Sequence, residues 1–281
     1  MLCHPCRCLF VHVPKTAGQS IEAYFMQHLG LPEAGRDALL LSRNRDPHRG
    51  PPRLSHLMAR EYLTGGHVTP KQFEDYYKFS FVRNPWDRLV SFYKYRGHAH
   101  RYDFKTFVFK HMPEPGWTND YCHVTPQYDF LHDEDGHCLV DFVGRFENLQ
   151  ADFGRVCRAV GLPVGKLPHA NKSLQQHSVF SVLLGEPRKI VRNLKRIARQ
   201  RRSERNTFAH YSEYYDAETR DYVAELYRQD IAAFGYEFRP AERPRAVAGA
   251  LQKAVALLLV TAEWGDSLAD LALSSGLEAV L

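Results

Sequence analysis

A short segment near the beginning of the chain combines one lysine, two hydroxyl residues and several small residues. It follows an apolar run at residues 9–13 and precedes apolar residues at helical spacing, so it connects a predicted strand to a predicted helix. Backbone amides at the start of a helix attract anions, assisted by the positive end of the helix dipole. We therefore expect an anion-binding loop here. Its members are Lys15, Thr16, Ala17, Gly18, Gln19 and Ser20.

The order of residues in this loop differs from that of a nucleoside triphosphate loop. A Walker A loop reads GxxxxGK[ST], whereas here the lysine precedes the glycine. This order disfavours a nucleoside triphosphate bound with Mg²⁺. A phosphotransferase of the P-loop kinase type stays open as an alternative function, as does a non-catalytic module that binds glycans or membranes.

A second pair of anion-binding residues follows another predicted strand, at residues 79–82. Arg83 comes directly after that strand, and Ser91 lies about two turns into the next predicted helix. A guanidinium group gives charge-assisted, forked hydrogen bonds, and the serine hydroxyl can reach the same ligand. We expect the neighbouring Arg88 to pair with Asp87 or with an adjacent helix.

Both segments resemble one known family. Residues 12–20, HVPKTAGQS, are similar to the 5′-phosphosulfate loop of the Golgi-type carbohydrate sulfotransferases and their bacterial relatives, where threonine is common at the place of Gln19. Residues 81–91, FVRNPWDRLVS, are similar to the family's 3′-phosphate signature. The resemblance implies 3′-phosphoadenosine 5′-phosphosulfate as the sulfonate donor and in-line transfer to a hydroxyl group. It also implies that Lys15 to Ser20 surround the phosphosulfate and that Arg83 and Ser91 hold the 3′-phosphate.

Further segments extend the resemblance over about residues 9–238. Residues 144–149, GRFENL, look like a strand-to-helix segment of the family, and residues 211–238 resemble its terminal helix. Residues 169–173, HANKS, resemble the loop that folds over the bound nucleotide. The resemblance implies nucleotide contacts from Asn171, Lys172 and Ser173.

Sulfonate transfer requires a cation beside the leaving oxygen and a base for the acceptor proton. Lys15 stands in the loop that the resemblance assigns to the leaving oxygen. Residues 65–68, GGHV, are similar to the histidine-bearing segment of the uronyl 2-O-sulfotransferases, which implies that His67 is the catalytic base. An imidazole suits this role at neutral pH without a metal. The alternative bases are His56, Glu61 and Glu22.

The predicted elements position these loops. Strands at residues 9–13, 79–82 and 139–143 alternate with helices, which predicts an α/β fold with a parallel sheet covered on both faces. The resemblance implies the architecture of the P-loop kinases, with helical additions at the carboxyl end. We expect a sulfotransferase domain at residues 1–240 with a basic helical insert at about 185–206, and a helical tail at 241–281.

The charge and cysteine content of the chain limit the kinds of partner that we expect it to bind. The formal net charge of +5 favours an anionic ligand, and it does not single out nucleic acid, which we do not expect as a partner. A basic amphipathic segment at residues 187–205 suggests an anionic acceptor or an anionic membrane surface. No signal-like segment precedes residue 9, and the six cysteines lack zinc-finger spacing, so we expect reduced thiols and no metal. We therefore expect a carbohydrate or glycolipid acceptor and a cytoplasmic location, with a peripheral position at the inner membrane face as an option.

Overall fold

A four-stranded sheet forms the centre of the protein. The computed structural model describes residues 1–46, 50–116, 118, 120–168 and 207–241. The strands are β1 Leu2–Cys3, β2 Cys8–Val11, β3 Tyr77–Val82 and β4 Phe142–Arg145. They lie side by side in chain order, with β1 antiparallel to β2 and the other neighbours parallel. The described elements belong to one compact unit, Met1–Arg239.

Helices surround this sheet. The described α-helices are α1 Gly18–His28, α2 Ala59–Thr64, α3 Pro70–Asp75, α4 Pro85–Tyr95, α5 Phe104–Lys110, α6 Gln127–Leu131, α7 Leu149–Ala159, α8 Ala217–Leu226 and α9 Arg228–Phe234. Short 3₁₀ turns connect several of them, among them Leu54–His56, Tyr121–His123 and Phe146–Asn148. Strands that alternate with helices confirm the predicted α/β fold.

Both faces of the sheet are buried, because side chains alternate along each strand. On one face, Phe10 and Phe79 pack with Phe25 of α1 and Phe153 of α7. On the other face, Leu9 and Val11 pack with Tyr62 of α2 and Phe130 of α6. A third cluster joins α4, α5 and α8, and it includes Phe92, Phe107 and Val223. The sheet is therefore a rigid platform for the loops at its ends.

The parallel strands end at one common edge. Val11 of β2 is paired with Ser80, and Val82 of β3 is paired with Arg145 of β4. The segments that leave this edge are residues 12–17, Arg83 with Asn84, and residues 146–148. Open α/β sheets bind ligands beyond the carboxyl ends of their strands. The topology thus brings the two predicted anion-binding loops together.

Some elements differ from the prediction. The third strand runs over Phe142–Arg145 rather than residues 139–143, and β1 was not predicted. The predicted elements also did not include α5, whose amino end is capped by Asp103. The capping side chain accepts a hydrogen bond from Thr106 N, a local signal for a helix start that hydrophobic spacing overlooks.

None of the helices in the described ranges is both long and apolar enough to span a membrane. The basic insert at about 185–206 falls outside the described residues. The same holds for the tail beyond residue 241, so the predicted boundary at residue 240 stays a prediction.

Gly144 of β4 leads to a prediction about stability. A Cβ atom built there would lie 2.5 Å from Cε1 of the fully buried Phe81 ring, on the partner strand. We expect Gly144→Ala to lower the free energy of unfolding by about 1–3 kcal/mol, because the core must shift to admit the methyl group. Urea denaturation measures this change.

Gly154→Ala is the matched control. Gly154 lies inside α7, and its added Cβ would meet Val164 at 3.4 Å, an ordinary contact. We expect no loss, or a gain of up to about 1 kcal/mol from the better helix former. Equal urea midpoints for the two variants would contradict the packing described here.

Candidate anion-binding site

A cleft of about 520 Å³ opens at the carboxyl edge of the sheet. Its walls carry four cationic side chains and three histidines, and the described lining residues include no aspartate or glutamate. The cations and histidines are Lys15, Arg53, Arg83, Arg96, His12, His56 and His123. A surface of this kind attracts a polyanion. It offers no carboxylate for the Mg²⁺ that accompanies a nucleoside triphosphate.

The loop at residues 13–17 has an unusual backbone. Lys15 and Ala17 have φ angles of 72° and 68°, values that non-glycine residues rarely adopt. Alternating left-handed residues form a concave nest of amide groups that suits an anion. Such strain persists only where the surrounding structure enforces it.

Three consecutive carbonyl groups of this loop are bonded to protein donors. The Thr16 hydroxyl donates to Val13 O at 2.8 Å, Arg88 Nε donates to Pro14 O at 3.0 Å, and Arg83 Nη1 donates to Lys15 O at 3.2 Å. These contacts enforce the strained backbone. They also occupy the oxygen atoms that would repel an anionic ligand. An anion in the cleft would therefore face the amide groups of the loop and the amino end of α1.

Gly18 allows a close approach between the loop and His12. A Cβ atom at Gly18 would overlap the His12 imidazole, so no larger residue fits without displacing that ring. His12 Nδ1 lies 2.6 Å from Oε1 of Glu22, and Arg36 bonds the other carboxylate oxygen at 2.8 Å. Burial raises the pKa of the Glu22 carboxyl, but the contacts with His12 and the charge of Arg36 outweigh it and hold the pKa at about 2.

The ammonium group of Lys15 lies over the ring of Tyr95, 3.8 Å from its centroid. Burial, together with repulsion from Arg83 and Arg88, lowers the pKa of Lys15 to about 8. A bound anion would reverse part of this repulsion. Lys15 is thus placed to respond to charge in the cleft.

Arg83 and Ser91 line the same cleft as Lys15. The Arg83 side chain is held between Asp87, whose Oδ2 lies 2.8 Å from Nη2, and the ring of Phe146, 4.0 Å from Cζ. Since Asp87 pairs with Arg83, the expected pairing of Arg88 with Asp87 was wrong. The guanidinium of Arg88 is instead fully buried and bonds backbone carbonyls.

The loop residues predicted to bind the anionic ligand fall into three groups: those that line the cleft, one that is buried, and those outside the described residues. Those that line the cleft are Lys15, Ala17, Gly18, Gln19 and Ser20. Thr16 is fully buried and bonds within the loop, so its hydroxyl shapes the backbone instead of facing the cleft. Asn171, Lys172 and Ser173 lie outside the described residues, and their contacts stay a prediction.

Two residues that fix the backbone of the Arg83 segment were not predicted. The Gln127 side chain accepts from Arg83 N at 2.9 Å and donates to Arg83 O at 2.8 Å. Glu147 accepts from Asn84 N at 2.7 Å, and its other oxygen accepts from the Tyr236 hydroxyl. Glu147 stands in the GRFENL segment, which was a usable signal. Gln127 gave none, because it is far from Arg83 along the chain.

The candidate bases occupy different places. His56 lines the cleft, with its ring centroid 4.6 Å from that of His12 and 5.6 Å from that of His123. His67 lines a separate depression of about 340 Å³ together with Arg43, Asn44 and other polar residues. The structure therefore brings His56, but not His67, onto the wall of the cleft that holds Lys15. Glu22 bonds His12, and Glu61 caps α2 through Met58 N.

Most of the chain matches one protein family. The family model described as "Sulfotransferase family" matches residues 1–237. A protein of Archaeoglobus fulgidus that is named only as uncharacterized is 36% identical over 105 residues. The aligned part is 36% of the present chain and 82% of that relative.

The contact between Gly18 and His12 can be tested with a simple anion. We expect inorganic pyrophosphate to raise the melting temperature of the wild-type protein and to raise that of Gly18→Ala much less, because the added methyl group displaces His12 and the loop. Differential scanning fluorimetry measures both shifts. Gly35→Ala is the matched control, since its Cβ meets nothing closer than 3.5 Å. Equal pyrophosphate shifts in all three proteins would contradict the role of Gly18.

Proposed function

The chain belongs to the sulfotransferase family, and from that premise we propose that it transfers a sulfonate group from 3′-phosphoadenosine 5′-phosphosulfate to a hydroxyl group of a carbohydrate or glycoconjugate acceptor. The observation that carries this proposal is the cationic cleft, which joins the Lys15 loop to Arg83 and Ser91 without a carboxylate among its described lining residues. A donor with phosphate groups at two positions requires two such anion sites in one cleft.

The residues present fit this donor. The strained nest and the amino end of α1, at residues 15–20, suit the 5′-phosphosulfate, and Arg83 with Ser91 suits the 3′-phosphate. Asn171, Lys172 and Ser173 remain proposed contacts of the nucleotide. The donor supplies an activated sulfonate whose leaving group is a phosphate oxygen.

Lys15 is proposed to stabilise the charge that develops on this leaving oxygen. Its ammonium group is half-buried, and in such surroundings a charge interaction is stronger than in water. Tyr95 holds the ammonium from one side, so that the lysine needs little reorganisation during the reaction. No metal is needed for this role.

The base that takes the acceptor proton is proposed to be a histidine. Similarity to the uronyl 2-O-sulfotransferases supports His67, and position in the cleft supports His56. The acceptor itself, a carbohydrate or glycolipid, is proposed from the resemblance. A cytoplasmic location and contact with an anionic inner membrane face through residues 187–205 are likewise proposals.

Selectivity for the 3′-phosphate tests the donor. Adenosine 3′,5′-bisphosphate should bind about ten- to a hundredfold more tightly than adenosine 5′-monophosphate, because hydrogen bonds to charged groups contribute about 1.5–3 kcal/mol. Arg83→Ala with Ser91→Ala should remove this preference, and calorimetry measures the affinities. Arg228→Ala, which removes an exposed arginine paired with Glu225, is the control and should keep the preference.

Equal affinity of the wild-type protein for the two nucleotides would refute the assigned donor. Preference for a nucleoside triphosphate with Mg²⁺ would favour the kinase alternative. Tight nucleotide binding without any sulfonate transfer would favour the non-catalytic module.

The lowered pKa of Lys15 predicts a pH dependence of binding. Above a pH of about 8 the free protein loses the ammonium charge, whereas the phosphates of the nucleotide stay ionised. The dissociation constant of adenosine 3′,5′-bisphosphate should therefore rise as the pH increases above about 8, by up to tenfold per pH unit. Lys15→Arg should keep tight binding at pH 9, and Lys15→Ala should bind weakly at all pH values. A flat profile of the wild-type protein between pH 7 and 9.5 would contradict this prediction.

A further inference from the structure

A second, smaller pocket adjoins the cleft and shares one lining residue with it. The pocket has a volume of about 160 Å³, enough for a single six-membered ring. Among the described residues, His56 is the side chain that lines both spaces. The remaining lining residues are Pro51, Met58, Glu61, Gly116, Tyr121, Cys122, Thr125 and Phe130.

The hydrogen bond of His56 defines which of its nitrogens can accept a proton. Nδ1 lies 3.3 Å from the carbonyl oxygen of His12. A carbonyl oxygen only accepts hydrogen bonds, so Nδ1 carries the hydrogen and Nε2 carries the lone pair. Burial and the nearby His12 and His123 lower the pKa of His56 well below its usual value, although Glu22 opposes this shift. The imidazole is therefore neutral at pH 7, the form that a general base requires.

His12 is less suited to this role. Its Nδ1 is engaged by Glu22 at 2.6 Å, and its other ring edge packs against Gly18 in the anion-binding loop. The ring is almost fully buried. His12 therefore supports the loop and, through its carbonyl oxygen, orients His56.

The chemistry of the small pocket selects the kind of ring it can hold. Its described lining has apolar and aromatic side chains, among them Met58, Tyr121 and Phe130, which suit the C–H face of a sugar. Glu61 contributes a carboxyl group, and no lysine or arginine is present in that lining. A uronate or sulfated ring would meet this carboxyl group, and the cations that act on Cys122 from outside the described lining are Arg88, Arg96 and Arg53. A neutral ring could instead donate a hydroxyl to the carboxyl group. A simple phenol has only one hydroxyl group, the one that would accept the sulfonate. It would therefore have no second hydroxyl to donate to the Glu61 carboxyl group.

We propose that this pocket binds one neutral hexopyranose ring of the acceptor and that His56 is the catalytic base for the hydroxyl which that ring presents to the cleft. This inference rests on the proposed sulfonate transfer. It narrows the proposed acceptor from any carbohydrate to a neutral sugar, and it assigns the role of the base to His56 instead of His67.

The reaction step is then balanced. The acceptor O–H bond breaks, and its proton passes to Nε2 of His56. The acceptor oxygen forms a bond to the sulfur of the donor. The electron pair of the breaking sulfur–oxygen bond leaves with the 5′-phosphate, beside Lys15. The products are a sugar sulfate ester, adenosine 3′,5′-bisphosphate and one proton on His56.

The base is tested by comparing His56→Asn with His67→Asn. Asparagine can keep a donor near the His12 carbonyl but provides no basic nitrogen. We expect His56→Asn to lower kcat by about 10²–10⁴-fold and to leave the affinity for adenosine 3′,5′-bisphosphate unchanged. His137→Asn, which alters an exposed histidine elsewhere, is the control and should keep kcat. A larger loss of kcat in His67→Asn than in His56→Asn would overturn the assignment.

The pocket is tested by filling it. Cys122→Leu adds volume to the wall of the pocket, so the KM for a neutral methyl hexopyranoside should rise at least tenfold while nucleotide affinity stays the same. Cys138→Leu is the matched control at an exposed cysteine. If Cys122→Leu does not bind the nucleotide, Met58→Ala, which enlarges the pocket, should raise the same KM. An unchanged KM in a variant that still binds the nucleotide would overturn the pocket assignment.

The acceptor class is tested with methyl hexopyranosides, methyl glucuronide and p-nitrophenol under the same conditions. We expect transfer to neutral hexopyranosides with the highest kcat/KM. Higher kcat/KM for the glucuronide or the phenol would overturn the acceptor assignment alone. Transfer to none of the three classes by a protein that binds adenosine 3′,5′-bisphosphate would overturn the acceptor assignment and favour the non-catalytic module. A wild-type protein that neither binds this nucleotide nor transfers sulfonate would refute the proposed function itself.

Discussion

The buried guanidinium of Arg88 is the interaction on which the geometry of the site depends. Its Nε bonds Pro14 O in the anion-binding loop, and its Nη1 bonds Thr125 O at 2.9 Å, near the small pocket. Burying a cation is costly unless its hydrogen bonds are satisfied, and Nη2 of Arg88 has no hydrogen-bond partner in the described part of the chain, so the two bonds to carbonyl groups offset only part of this cost. Because the guanidinium is planar and forked, it fixes the two chain segments relative to α4 in a way that a lysine cannot. Contacts within the protein thus fix the loop, the helix that carries Ser91 and one wall of the small pocket relative to one another.

The strained loop follows from this arrangement. Positive φ angles at Lys15 and Ala17 are unfavourable by themselves, and the donors from Thr16, Arg83 and Arg88 to three successive carbonyl groups compensate for them. The same bonds remove carbonyl oxygens from the surface that meets the ligand. The same set of contacts therefore maintains the strained backbone and favours anion binding.

The sequence was sufficient to predict those features that depend on residues close together along the chain. The strand-loop-helix segments around Lys15 and Arg83 were predicted, and the parallel pairing of β2 with β3 brings both to one edge. Arg88 could not be assigned, because whether it meets Asp87 or a carbonyl depends on the packing of α4 against a distant loop. For the same reason the clamp of Gln127 on Arg83 left no sign in the sequence.

The positions of His56 and His67 likewise depend on packing that the sequence does not reveal. Both histidines stand in the segment between α1 and β3, and similarity of short motifs favoured His67. The structure places them on different surfaces, because the 3₁₀ turn Leu54–His56 puts His56 against His12, whereas His67 follows α2 into another depression. Sequence spacing of residues in connecting loops does not fix which wall of the protein they reach.

The charge distribution of the cleft supports the role proposed for Lys15. Burial lowers the pKa of Lys15 to about 8, and repulsion from Arg83 and Arg88 adds to this effect. A bound polyanion would offset this repulsion and raise the pKa of Lys15, which favours the charged lysine. In the proposed transfer, negative charge would accumulate on the leaving phosphate oxygen, and the ammonium group would then interact more strongly than with the bound donor. An interaction that strengthens along the reaction coordinate lowers the barrier rather than merely tightening binding. The absence of carboxylates among the described lining residues lets this increase in attraction act unopposed.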